Sequence, residues 1–191
     1  MTPIQLDVTD EGSIAAAAEV ASGVSILINN AGSSTNSSLL TGSLDDIRLE
    51  MDTHYFGSLL VTRAFAGQLA QSDQSAILNI LSALSWFSFP SIGAYCAAKS
   101  AEWSMTNGIR QELYAQGTVV SALHVGYMET DMTADVKGPK GDPAVVARIA
   151  LDGIESSEFE ILADEISHTA RAGLAGGVAT LYPSLKPGSS Q

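Results

Sequence analysis

Tyr95 and Lys99 stand four residues apart in Ala94-Tyr95-Cys96-Ala97-Ala98-Lys99, a spacing that sets both on one face of a helix. There the Lys99 ammonium can stabilise a phenolate and lower a pKa that is ordinarily about 10. A tyrosine so tuned serves as acid or base near neutral pH. The same spacing also brings Tyr and Lys together in many helices without any catalytic role. Ser82, thirteen residues before Tyr95, adds weight to the chemical reading because it directly follows the apolar run 76–81. A strand-end hydroxyl and a helix-start phenol can converge at the C-terminal edge of a parallel sheet, where such folds bind ligands.

The elements that must position these groups are short runs rich in Ile, Leu and Val alternating with longer stretches of helical periodicity, the pattern of βαβ units around a parallel sheet. Strands are predicted at 4–8, 24–28, 76–81, 119–125 and, more weakly, 160–162. Being apolar on both faces, they should be covered by helices on each side. Helices are predicted at 10–22, 43–52, 55–71, 94–116, 143–155 and 165–181, with Thr9-Asp10 and Ser43 as N-terminal caps. The expected fold class is α/β, a Rossmann-like doubly wound sheet in a single domain over 1–182, followed by a mobile tail, 183–191. Between 129 and 165 ten acidic residues face three basic ones; this stretch reads as an exposed, flexible loop followed by a solvated helix.

Composition removes other classes of function. The chain has 191 residues and a net charge of -12, with no cluster of Lys or Arg to neutralise the phosphates of a nucleic acid or grip an anionic membrane. A single cysteine, Cys96, allows no internal disulfide; a buried small residue is the simpler reading than a redox group. The N-terminus lacks the basic start and apolar core of a signal peptide, and no apolar run approaches the roughly 18 residues of a membrane span. A cytoplasmic protein is expected. His124 and His168 show no ligand spacing, so no metal site is expected.

The chain resembles the short-chain dehydrogenase/reductase family over nearly its whole length. The resemblance rests on Leu6-Asp7-Val8, Asn29-Asn30-Ala31-Gly32, Ser82, Tyr95-Cys96-Ala97-Ala98-Lys99 and Val125-Gly126-Tyr127-Met128-Glu129-Thr130, in the family's order. It implies a Rossmann-type fold, NAD or NADP as cofactor, and reversible hydride transfer between an alcohol and a carbonyl compound. By resemblance Tyr95 is the proton donor or acceptor, Lys99 lowers its pKa and holds the nicotinamide ribose, and Ser82 binds the substrate oxygen. Asp7 matches a residue that contacts the adenine, and Thr130 one that contacts the carboxamide. Asn29, Ala31 and Gly32 match a turn that supports the sheet and admits the cofactor, and Gly126 belongs to the second cofactor-bordering turn.

The chain departs from the family in three ways. A first strand, glycine-rich turn and helix that would receive the pyrophosphate are not found, so that about fifty residues of a first βαβα unit are expected to be absent. This leaves run 24–28 as an apolar edge. A non-enzymatic remnant acting through protein contacts is therefore the alternative to an oxidoreductase, and an in-frame upstream glycine-rich turn would restore the enzyme. His54 stands where the family usually has an Asn supporting a water-linked proton path; imidazole can relay protons, or the ring can simply pack or cap its helix. Val125 replaces the usual Pro.

Two expectations concern partners. The loops after the strands carry Leu39, Leu40, Trp86, Phe87, Phe89, Tyr127 and Met128, with no basic residue before Lys137, which predicts a neutral substrate with an apolar body. Helices 55–71 and 94–116 match those that pair subunits in the family, and Tyr55, Leu59, Thr62 and Ala66 recur at helical spacing, which predicts a homodimer or higher homo-oligomer.

Overall fold

The computed structural model describes residues 2–185. Helix α1 (Glu11–Val20) leads to strand β1 (Ile26–Asn29), then α2 (Leu44–Met51), one wider π-type turn (Asp52–Gly57) and α3 (Ser58–Leu69). Strand β2 (Ser75–Ile80), α4 (Gly93–Glu112) and β3 (Thr118–His124) follow, then α5 (Pro143–Glu155), β4 (Glu160–Leu162), α6 (Glu165–Gly173) and the short α7 (Val178–Leu181). The strands form one parallel sheet in the order β1-β2-β3-β4. This is the α/β Rossmann-like architecture that the alternating pattern implies.

Successive strand residues point to opposite faces, and the core divides accordingly. Ile77 and Val120 pack with Leu69, Met105 and Ile109 from α3 and α4, while Leu78 and Leu123 pack with Val146 and Ala150 of α5 and Ile161 of β4. Burying each such side chain stabilises the fold by about 1.5–3 kcal/mol. The predicted N-terminal caps are in place: the Asp10 carboxylate accepts from the Gly12 and Ser13 amides, and Ser43 accepts from Asp45.

Three expectations need correction. Run 4–8 forms no strand, and Ile4 and Leu6 stay exposed; Val8 instead packs with Ile14, Val61 and Phe65 under α1 and α3. The helix predicted at 165–181 is broken at Gly177, whose φ of 67° lies in the left-handed region that glycine tolerates. Helix α5 is not solvated all round, because Val146, Ala150 and Gly153 are buried. The predicted tail begins with a single turn, Pro183–Leu185, and its remainder lies outside the described residues. The edge at β1 is as expected: among the described residues it pairs only with β2, and Ile26 and Ile28 are each 48% exposed.

Candidate active site

Ser82 lies just past β2 and caps the turn Ala83–Ser85, where its hydroxyl accepts from the Leu84 amide at 3.1 Å and donates to the Val125 carbonyl at 3.4 Å. That last contact ties the ends of β2 and β3 together. Tyr95 sits in the first turn of α4 with the Ser82 hydroxyl beside its own. Lys99, one turn on, is 5% exposed, and its Nζ lies 6.0 Å from the Tyr95 ring centre. Burial pushes the Tyr95 phenol above its ordinary range, with Lys99 and Ser82 pulling against it and the carboxylates of Glu102 and Glu50 pushing further up.

Lys99 does not face Tyr95 alone. Its Nζ donates to the Ile80 carbonyl at 2.8 Å and to Glu102 Oε2 at 2.8 Å, and the other Glu102 oxygen accepts from Ser58 Oγ at 2.9 Å. Glu102 is almost wholly buried.

His54 occupies the π-type turn, a kind of helix irregularity that gathers at functional sites. It caps nothing. Its ring meets the Tyr95 ring edge to face at 5.2 Å, and its Nε2 lies 2.9 Å from the Ser33 carbonyl and 3.2 Å from Glu50 Oε2. The Ser33 amide also lies 3.4 Å from Nε2, so donor and acceptors meet at that nitrogen, while Nδ1 is buried without a partner among the described residues. Glu50 is fully buried and also accepts from the Thr35 amide at 2.6 Å and from Ser33 Oγ at 3.2 Å. Burial alone would raise this carboxyl, but the bonds from His54 and Thr35 outweigh it and hold it below the usual carboxylate range.

The turns after β1 and β3 come close to this group. A Cβ on Gly32 would stand 2.9 Å from His54 Cε1, and one on Gly126 would meet Ile166 Cδ1 at 2.8 Å. Gly126 donates its amide to Asp164 Oδ2 at 2.6 Å. Asn29 is buried with both side-chain hydrogens committed, one to Thr62 Oγ1 at 3.1 Å and one to Asn79 Oδ1 at 2.8 Å, so its amide nitrogen braces the sheet. Ala31 is exposed. Thr130 caps the turn Asp131–Thr133. Asp7 lies at the surface, its carboxylate held by the Thr9 amide and hydroxyl and thereby lowered in pKa.

Ser82, Tyr95 and Gly126 open together onto one cavity of about 290 Å³ walled by Phe87, Phe89, Ile92, Tyr127, Met132, Val136 and Ile166. Of the apolar residues predicted for such a wall, Phe87, Phe89 and Tyr127 are there. Trp86 instead turns inward against His124, Met128 packs on the core beside α5, Leu39 lies against Gly93 and Leu40 is 97% exposed. Asp7, Asn29, Ala31, Gly32 and Thr130 do not line the cavity. The sequence reading missed Glu50 and Glu102. Their spacings, four before His54 and three after Lys99, are the helical spacings at which ion pairs form.

A parallel sheet wound on both faces, with Ser, Tyr and Lys converging at its C-terminal edge, defines an α/β protein of the dinucleotide-fold class. The model of the short chain dehydrogenase family matches residues 1–140, and the chain belongs to that family. It is 35% identical over 147 residues to the inactive 2-(S)-hydroxypropyl-CoM dehydrogenase 2 of Xanthobacter autotrophicus, covering 74% of this chain and 64% of the relative. It is 30% identical over 113 residues to a 3-oxoacyl-acyl-carrier-protein reductase of Synechocystis, covering 59% and 46%. It thus spans less than two thirds of the length of either relative. A short chain dehydrogenase from Burkholderia cenocepacia, crystallised in complex with NADP, superposes with a TM-score of 0.91 at 31% identity, covering 96% of this chain and 80% of that one. No helix among the described residues is long and apolar enough to cross a membrane.

Proposed function

We propose that this chain carries the reacting half of a nicotinamide-dependent oxidoreductase that interconverts a carbonyl compound and its alcohol, on a neutral substrate with an apolar body. The observation that carries the reading is the pair of hydroxyls, Ser82 and Tyr95, set in a mostly apolar cavity, to which Ser34 and Asn36 add further polar side chains, with Lys99 behind them. A carbonyl that accepts hydride develops negative charge on oxygen. The Ser82 hydroxyl and the Tyr95 proton answer that charge where it appears, beside mostly apolar walls that strengthen both bonds. Tyr95 then transfers its proton to the oxygen as general acid.

The residues fit NAD or NADP as the hydride donor. Gly32 leaves bare backbone beside His54, whose buried Nδ1 lacks a partner, and Gly126 leaves a bare turn at the cavity. By the family pattern Lys99 holds the nicotinamide ribose, Thr130 the carboxamide and Asp7 the adenine; the His54 ring is the side chain nearest the Gly32 turn. The NADP complex of the Burkholderia relative supports this cofactor class. Self-association is part of the same reading, supported by a groove between α3 and α4 lined by Tyr55, Leu59, Ala66, Met105 and Leu113. Thr62, expected on that face, lines the groove too, although it is 3% exposed and its Oγ1 accepts from Asn29.

Tyr95→Phe tests the reading, because it removes only the ionisable hydroxyl. Carbonyl reduction with NADH or NADPH is expected to fall at least about 100-fold, the scale of a lost general acid. Undiminished turnover in that variant sinks the assignment.

A further inference from the structure

An ammonium has three N–H donors, and Lys99 has two of them committed within the fold, one to the Ile80 carbonyl and one to the Glu102 carboxylate, each at 2.8 Å. The Glu102 carboxylate is in turn anchored by Ser58, the first residue of α3, which follows the π-type turn holding His54. The Lys99 side chain is thus fixed from two elements, and its charge is balanced at contact distance.

We propose that Glu102 is a positioning residue that clamps Lys99 and cancels its charge, so that Tyr95 keeps its proton and the site is set to donate a proton to a carbonyl. This rests on the reading of Tyr95 as the general acid. A lone ammonium 6.0 Å from the Tyr95 ring would favour phenolate. With a carboxylate 2.8 Å from that ammonium, Tyr95 sees a neutral pair whose field falls off far faster than that of a single charge. The charged and titratable groups that face Tyr95 are Lys99 and Glu102 of α4, Glu50 of α2 and His54 of the π-type turn. Two carboxylates therefore stand against one lysine, with Glu50 bound to His54. Burial of the phenol acts in the same direction. The proton-bearing form is favoured by burial and by both carboxylates against the pull of Lys99 and of the Ser82 hydrogen bond, and Glu102, in contact with the ammonium, blunts the pull of Lys99.

The clamp also accounts for a carboxylate that the reaction itself does not use. A buried Glu102 without a cation would be strongly destabilising, as would Lys99 without its anion. The two residues must therefore stay together, and the pair leaves Lys99 with one N–H beyond its bonds to Ile80 and Glu102.

The test is the ionisation of Tyr95, followed by NMR of isotope-labelled tyrosine ring carbons in the whole chain, which has five tyrosines; the signal missing in Tyr95→Phe identifies it. In the wild type Tyr95 is expected to ionise after Tyr114, which is 79% exposed. In Glu102→Gln, with the helical circular dichroism unchanged, it is expected to ionise at least about one pH unit lower, the scale of an uncancelled neighbouring charge. Ionisation at the same pH in both proteins, or none in either before alkaline unfolding, overturns the proposal. If Glu102→Gln does not fold, the double variant Lys99→Met with Glu102→Met removes the pair together, a change that buried pairs often tolerate. Tyr95 should then stay within about half a unit of wild type, and a rise of about one unit or more would show that Lys99 acts uncancelled. Neither readout needs turnover, so failure here is distinguishable from failure of the Tyr95→Phe activity test.

Discussion

The imidazole of His124 lies flat against the indole of Trp86, with ring centres 3.8 Å apart and planes 19° from parallel. His124 Nδ1 donates to the Ser82 carbonyl at 3.2 Å, so this stack supports the turn that holds the candidate catalytic hydroxyl. The ring is fully buried, with the Arg171 guanidinium over the far partner, Trp86. Burial drives the His124 pKa down from 6.5 to about 4.

A pH dependence of stability follows. Between these values the unfolded chain binds a proton at His124 that the folded chain refuses, so stability rises with pH across that window. As pH falls from 6.5 towards 4, roughly 3 kcal/mol is expected to be lost. Glu50 and Glu160 are also held low, by hydrogen bonds that outweigh their burial, but their losses come at more acidic pH. Urea unfolding across the window checks this, and His124→Asn, which keeps a donor for Ser82, should flatten the slope. An equal slope in the variant would contradict it.

A second expectation concerns the polar ladder under the sheet. Asn79, fully buried on β2, accepts from Asn29 at 2.8 Å and donates to Thr106 Oγ1 at 2.8 Å, joining β1, β2 and α4. Asn79→Leu would strand a donor on Asn29 and an acceptor on Thr106 at once. The expected cost is about 2–4 kcal/mol, because each abandoned buried group forfeits its solvation. Equilibrium unfolding measures it, and a loss under about 0.5 kcal/mol would show that the neighbours find other partners.

The sheet was legible because buried parallel strands are apolar on both faces: 24–28, 76–81, 119–125 and 160–162 all overlap strands. Run 4–8 alternates Ile4, Leu6 and Val8 with Gln5 and Asp7, a period that also suits a strand, but no strand lies beside it among the described residues, and sequence pattern does not report which neighbours are available. Ser82, Tyr95 and Lys99 were legible through spacing and resemblance. Glu50 and Glu102 were not, since a carboxylate inside a helix reads as a solvated face until tertiary packing brings His54 and Lys99 over it. Trp86 was placed on the cavity wall by its loop position, yet the His124 stack draws it inward. An aromatic residue in a loop does not declare which side it will take.

Gly32→Ala tests the closeness of the cofactor turn to His54. The added Cβ would stand 2.9 Å from His54 Cε1, inside the closest approach of carbon atoms, so the ring must shift off its contact with Tyr95. Folding stability should fall as well, because the displaced ring is buried and bound to the buried Glu50, so affinity is compared with the variant confirmed as folded. Affinity for NADH or NADPH, read by fluorescence titration, should fall by about tenfold, the effect of roughly 1.4 kcal/mol. Unchanged affinity would place the nicotinamide away from this turn.

The last prediction separates two routes of self-association. The groove between α3 and α4 gives a closed, symmetric pairing if a second copy lays the same face into it, and Ala66 lies on its wall. Strand β1 offers a different surface, an unpaired edge with Ile26 and Ile28 half exposed, through which pairing can continue from copy to copy. Ala66→Arg fills the groove with a charge and is expected to convert a dimer to a monomer in dilute light scattering. Ile28→Lys charges the edge strand and is expected to leave that dimer intact while suppressing larger aggregates. The opposite pattern, dissociation by Ile28→Lys alone, would assign association to the strand edge, and a wild-type monomer would remove both.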